Sequence, residues 1–140
     1  MANTIRVDIV SAEHELFSGE ATMVFAPAVM GEVGIAPRHT PLLTPLNAGD
    51  VRVQTAEGEE HIIYVSGGML EVQPHLVTIL SDTALRAEDI NEEAALRAKE
   101  DAERALADRQ SGIDEARARA ELVQAAAQLS ALRKLRSRGR

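Results

Sequence analysis

All five prolines and seven of the nine glycines of this chain fall before residue 84, leaving only Gly112 and Gly139 beyond it. Proline fixes φ and removes a backbone donor, and glycine supplies the conformations that tight turns need. A stretch dense in both cannot sustain long helices, so residues 1–84 are expected to fold as short strands joined by turns. The rest is rich in Ala, Glu and Arg, all ready helix formers, with Gly112 as its interior break. The expected architecture is β + α in two parts. A β-domain covers 1–84, a linker 85–90, and a two-helix hairpin with a basic C-terminal tip covers 91–140.

Charge follows the same division. Residues 1–84 carry 11 acidic and 3 basic side chains, a net −8, while residues 85–140 carry 11 acidic and 12 basic, a net +1; together these give the formal −7 of the chain. Five cations crowd the end: Arg133, Lys134, Arg136, Arg138 and Arg140. The tip is either a solvated helix end whose cations suit the dipole or a contact for nucleic acid, an anionic surface or an acidic protein patch. Because a helix dipole needs fewer cations, a partner is expected. Nucleic acid does not fit, because the chain is acidic and its aromatics (Phe17, Phe25, Tyr64) are too few to stack bases. The absence of cysteine excludes disulfides, thiolate metal sites and a cysteine nucleophile. No apolar run approaches the roughly 20 residues that span a bilayer, and no leader-like segment precedes Ile5. A soluble, cytoplasmic chain is expected.

Ile5, Val7 and Ile9 alternate with Arg6 and Asp8 at the period of a half-buried strand. Further strands are expected at Thr22–Pro27, Val51–Thr55, His61–Ser66 and Leu76–Leu80. The clearest hairpin joins Val51–Thr55 to His61–Ser66 through Glu57-Gly58. Strands such as Leu76–Leu80 are apolar on both faces, which fits a closed sandwich or barrel. No helical pattern interrupts them, so parallel crossovers are not expected.

From Asn91 the period changes. Asn91 is a helix cap, with Glu92 and Glu93 at the positive dipole end. Glu93–Arg97 and Glu100–Arg104 are expected i,i+4 ion pairs, and Ala95, Ala98, Ala102 and Ala105 form an expected seam. The hairpin turn is placed at Ser111 and Gly112. The second helix, from about Asp114, carries a stripe of Ala118, Leu122, Ala125, Leu129 and Leu132. An alanine seam buries few methylenes, at about 0.8 kcal/mol each, so the helices form readily while their mutual docking stays weak. A permanently packed pair and an element that exchanges contacts both fit this pattern.

No catalytic, metal or cofactor site stands out. Gly31-Glu32-Val33-Gly34 lacks the third glycine and the Lys-Ser/Thr ending of a phosphate loop and reads as a turn between strands. The four histidines, His14, His39, His61 and His75, have no metal-ligand spacing. His39 lies in a proline-bracketed loop, Pro37-Arg38-His39-Thr40-Pro41, and is either an ordinary loop residue or a partner contact. Ser66-Gly67-Gly68 reads as a turn or bulge, since no general base stands near Ser66 in sequence.

The assembled string is more specific. Val10-Ser11-Ala12-Glu13, Phe17-Ser18-Gly19 and the run from Gly31 through His39 to Leu43 resemble the epsilon subunits of bacterial F-type ATP synthases. So do Tyr64-Val65-Ser66-Gly67-Gly68-Met69-Leu70-Glu71-Val72 and Val77–Ala84, and the resemblance runs from about residue 4 to 133. It implies a ten-stranded N-terminal β-sandwich clamped to the gamma subunit, with Glu32 and His39 facing the c-ring. It also implies a hairpin that permits turnover when folded on the sandwich. Extended into the alpha and beta subunits of the catalytic head, with Arg133, Lys134 and Arg136 as contacts, the hairpin suppresses hydrolysis. The implied location is the cytoplasmic face of the bacterial inner membrane, held peripherally. Relatives that sense ATP carry Ile/Leu-Asp-x-x-Arg-Ala where this chain has Ile90-Asn91-Glu92-Glu93-Ala94-Ala95, so no cofactor is expected. Two alternatives remain at this point, a small ATP-sensing module and a free-standing adaptor for acidic partners.

Overall fold

The alternation at Ile5–Ile9 sets the first strand, and the turn residues divide the next 77 positions into nine more. The computed structural model of the protein describes residues 3–108 and 112–138. In order come β1 (Ile5–Ser11), β2 (Glu15–Ala21), β3 (Met23–Ala28), β4 (Gly31–Ile35), β5 (Leu42–Leu46), β6 (Gly49–Gln54), β7 (Glu60–Val65), β8 (Gly68–Gln73), β9 (Leu76–Ser81) and β10 (Ala84–Arg86). They hydrogen-bond in the order β10-β7-β6-β3-β5-β8-β9-β1-β2, with β4 on β3 off this path. At the single pair Ala28↔Leu46 strand β3 passes from β6 to β5, and there the path folds into two layers. Inward residues of both layers, among them Val7, Ile9, Val24, Ile35, Val51, Val53, Ile63, Val65, Leu70 and Ile79, close one core. This is the expected ten-stranded β-sandwich.

The β6–β7 hairpin forms as expected, with Gly58 at φ +86° in its turn. One parallel pair does occur, β1 with β9, but the strands between them form its connection and no crossover helix is involved. The turn at Ser66-Gly67-Gly68 needs glycine: Gly68 sits at φ +135°, and a Cβ there would collide with the Leu80 carbonyl oxygen. Ser66 Oγ accepts from the Thr83 backbone N–H at 3.1 Å, a structural role.

Residues read as linker carry structure of their own. β10 pairs with β7, and a 3-10 turn at Ala87–Asp89 buries Ala87. Two helices follow, α1 (Glu92–Asp108) and α2 (Gly112–Arg138). Ser111 lies outside the described residues, and Gly112 opens α2 rather than preceding it. Asn91 caps α1 as expected, its side-chain oxygen accepting the Ala94 backbone N–H at 3.0 Å.

The seam of α1 is rotated from its expected line. Ala95 and Ala102 are buried, but Ala98 and Ala105 are exposed, and Lys99 and Leu106 are half-buried in their place. An alanine methyl buries little on either line, so the line taken is the one that also half-buries the longer side chains of Lys99 and Leu106. On α2 the expected stripe is found, with Ala118, Ala125, Leu129 and Leu132 buried and Leu122 half-buried. Arg104 pairs with Asp101 one turn back rather than with Glu100, and no ion pair joins Glu93 to Arg97 among the described residues.

Candidate functional site

Strand β7 is buried on both sides. Ile63 and Val65 point into the sandwich core, while Ile62 and Tyr64, 3% and 1% exposed, lie on its outer face beneath α2. Ala131 and Leu132 of α2 close over them together with Ala87 and Ile90. The Tyr64 phenol meets the Gln128 side chain, and burial pushes its pKa above the ordinary 10.0, partly offset by that hydrogen bond. Docking therefore rests on more than the alanine seam. Large side chains of the sandwich contribute roughly 1.5–3 kcal/mol each on full burial.

The cations of the tip are paired within the molecule. Lys134 Nζ donates to both carboxylate oxygens of Asp50, at 2.8 and 3.0 Å. Arg136 reaches Glu92 at 2.5 Å, which raises its pKa through the hydrogen bond and the nearby negative charge. Arg138 pairs with Glu60. Arg133 is exposed, and Arg140 lies outside the described residues. Sequence reading missed Asp50, Glu60 and Arg52. The available signal was Arg52, one of only three cations before residue 84, two positions from an aspartate on one strand face.

From Asp50 the charges continue. Its Oδ2 lies 3.8 Å from Arg52 Nε, and Arg52 Nη2 donates to Glu32 Oε1 at 3.0 Å. The guanidinium also stacks 4.5 Å above the Phe25 ring. Glu32 thus belongs to the β3–β4 hairpin, opposite Pro27, and is tied to β6. His39 sits elsewhere, in the β4–β5 loop. That loop is held to the β8–β9 turn by the Arg38 N–H donating to the Pro74 carbonyl at 3.0 Å, with Arg38 at φ 63°. No described hydrogen bond or ion pair joins Glu32 to His39.

The other layer leaves its outer face bare. Register aligns Pro45 with Met69, Met69 with Leu80 and Leu80 with Val10, an apolar row across β5, β8, β9 and β1. Leu80 is 53% exposed and Met69 39%. At the β5 end the Val29 N–H donates to the Pro45 carbonyl at 3.1 Å, which brings in the exposed Val29 and Met30 of the β3–β4 turn. Leu43, 67% exposed, lies two residues from Pro45 on the same face. Exposed apolar side chains aligned in this way make the face a candidate binding surface. Strand β9, read as apolar on both faces, is covered on one of them and carries the exposed Leu80 on the other.

The stretch expected to depart from an ATP motif is occupied structurally. Ile90 is in the docking cluster, Asn91 caps α1, Glu92 holds Arg136 and Ala95 is buried. No described helix is long and apolar enough to cross a membrane.

The sandwich thus covers one outer face with its own helices and leaves another bare. Residues 4–87 match the family model described as ATP synthase, Delta/Epsilon chain, beta-sandwich domain, and residues 88–133 match ATP synthase, Delta/Epsilon chain, long alpha-helix domain. The chain belongs to the ATP synthase delta/epsilon chain family. Within it, the sequence is 62% identical to the ATP synthase epsilon chain of Nitrosococcus oceani over 99% of both chains. It is 56% identical to that of Alkalilimnicola ehrlichii, again over 99% of both. Among solved structures, a chain of the Euglena gracilis mitochondrial ATP synthase (OSCP/F1/c-ring) superposes with a TM-score of 0.83 at 20% identity, over 93% of this chain and 82% of that one. A chain of the Tetrahymena thermophila central stalk/c-ring structure gives 0.59 at 10% identity, over 91% and 96%. At those identities the two structures show the shared fold.

Proposed function

We propose that this chain is a non-catalytic rotor subunit of a proton-translocating F-type ATP synthase, coupling gamma to the c-ring and restraining ATP hydrolysis through its hairpin. The observation that supports the reading best is the pairing of the helix tip. Lys134, Arg136 and Arg138 are satisfied by acids of the chain itself, Arg136 on the exposed Glu92 and the other two on the largely buried carboxylates of Asp50 and Glu60. The exposed pair contributes little and exchanges readily. The two others hold the docked helix by side-chain contacts that acids elsewhere can replace, so the tip has a docked state and a second state open to it. In the extended state Arg133, Lys134 and Arg136 face acidic helices of beta, with alpha alongside. The bare row Pro45–Met69–Leu80–Val10 is the surface proposed for gamma, and Glu32 and His39 remain proposed for the c-ring edge. The complex then holds the chain peripherally at the cytoplasmic face of the bacterial inner membrane.

The test is ATP hydrolysis by the soluble catalytic complex reconstituted with the full chain or with a chain ending at Arg86, the last residue of β10. Higher activity with the shorter chain places inhibition in the hairpin. Equal activity, with both chains bound, removes the inhibitory role and leaves coupling.

A further inference from the structure

Four charges alternate in sign from the tip of α2 to the β3–β4 hairpin: Lys134, Asp50, Arg52, Glu32. The two inner members are nearly sealed, with side chains 8% exposed at Asp50 and 14% at Arg52. The outer members are the open ends, Lys134 at 34% and Glu32 at 49%. Register stacks the inner pair under the docked helix, Asp50 opposite Tyr64 and Arg52 opposite Ile62.

Arg52 is not equally shared. Its Nη2 is bonded to Glu32, while its buried Nε has no hydrogen-bond partner and stands 3.8 Å from Asp50 Oδ2. That same oxygen accepts from Lys134 at 3.0 Å. A buried N–H without an acceptor is unfavourable, and the nearest remedy is a short shift of the guanidinium toward Asp50. Glu32 holds it back. Release of Glu32 therefore lets Arg52 close on Asp50 and compete with Lys134 for the carboxylate that anchors α2.

We propose that Arg52 is a positioning residue that couples the β3–β4 hairpin to the docked helix, so that engagement of Glu32 by an external cationic or hydrogen-bond-donating partner weakens docking of α2. Linkage makes the effect reciprocal: the docked helix keeps Asp50 occupied, which leaves Arg52 on Glu32 and makes Glu32 a poorer ligand for anything outside. The proposal rests on the reading above for what meets Glu32, but the coupling itself belongs to the isolated chain. The contacts Arg136–Glu92 and Arg138–Glu60 do not pass through Arg52, so docking is loosened rather than abolished.

The experiment is native-state amide hydrogen exchange on residues 129–135 of the full chain, comparing wild type with Glu32→Gln, Arg52→Lys and the double variant. Glu32→Gln keeps an oxygen that can accept from Arg52 but removes the negative charge that holds the guanidinium away from Asp50, and at an exposed end it leaves the sandwich core untouched. It is expected to speed exchange about fivefold, near the lower limit of ordinary coupling between sites. With Arg52→Lys the shorter ammonium retains charge but cannot bridge both carboxylates, and the added effect of Glu32→Gln is expected to fall below twofold. Unchanged exchange in Glu32→Gln overturns the coupling. So does an undiminished effect of Glu32→Gln in the Arg52→Lys background, because Glu32 then acts by another route. Binding of wild type and Glu32→Gln to purified c-ring tests the c-ring reading separately, since equal binding removes that reading without altering the exchange result.

Discussion

Strands β7 and β9 carry the same pattern and meet different fates. Each is apolar on both faces, His61-Ile62-Ile63-Tyr64-Val65 in one and Leu76-Val77-Thr78-Ile79-Leu80 in the other. The outer face of β7 lies under α2, with Tyr64 1% exposed, while Leu80 on the outer face of β9 is 53% exposed. An apolar outer face is a demand for cover, and sequence states the demand without naming the supplier. For β7 the supplier is the same chain. For β9 it is proposed to be a partner.

The largest effect expected from this difference comes from Tyr64→Ala. Removing the ring from beneath α2 is expected to cost the docking roughly 3–5 kcal/mol, read as accelerated amide exchange along α2 with the β1 and β9 amides unaffected. Equal loosening of both regions would show that the faces are not independent. On the bare face the signature reverses. Leu80→Glu is expected to shift unfolding free energy by no more than about 0.5 kcal/mol, measured by urea titration, while capture of gamma falls at least tenfold. A large loss of stability would mean that Leu80 is already covered.

Smaller effects sharpen the covered side. Asn91→Ala removes the side-chain acceptor for the Ala94 N–H and is expected to cost α1 about 1 kcal/mol, seen as fraying of its first turn by exchange. The smallest is a pH effect. Burial raises the Tyr64 pKa, so the docked form holds the phenolic proton more tightly than the undocked form does. Docking stability is then complete below the ordinary value of 10.0 and declines as pH rises through the raised one. Tyr64 is the sole tyrosine and there is no tryptophan, so phenolate absorbance reports this residue alone. Titration at the ordinary value in the full chain would contradict a buried ring.

Much of this was legible in the sequence because it is local. The strand at Ile5–Ile9, the β6–β7 hairpin through Gly58, the cap at Asn91 and the stripe of α2 each follow from a period or a turn residue a few positions long. The rotation of α1 was not legible, since alanines at Ala95, Ala98, Ala102 and Ala105 offer equal methyls to either line and tertiary contact decides. Nor were the partners of the tip. Lys134 and Asp50 are 84 positions apart and Arg136 and Glu92 are 44 apart, and a separation of that kind leaves no local trace. Arg52 was hidden for a related reason. Its role comes from register with Phe25 and Ile62, which places it between two carboxylates on different strands.

The structured segment between sandwich and hairpin has a kinetic consequence. β10 pairs with β7, the strand that α2 covers, and only the 3-10 turn and two further residues separate β10 from α1. The link anchors α1 beside the docking face, and α2, joined to α1 through the hairpin, stays within the hairpin's reach of that face at an effective local concentration of about millimolar order. A separate copy of α2 added at micromolar levels is then outcompeted by the tethered one. Only an acceptor carried in the same assembly, and therefore enjoying a comparable local concentration, can hold the helix away from the sandwich.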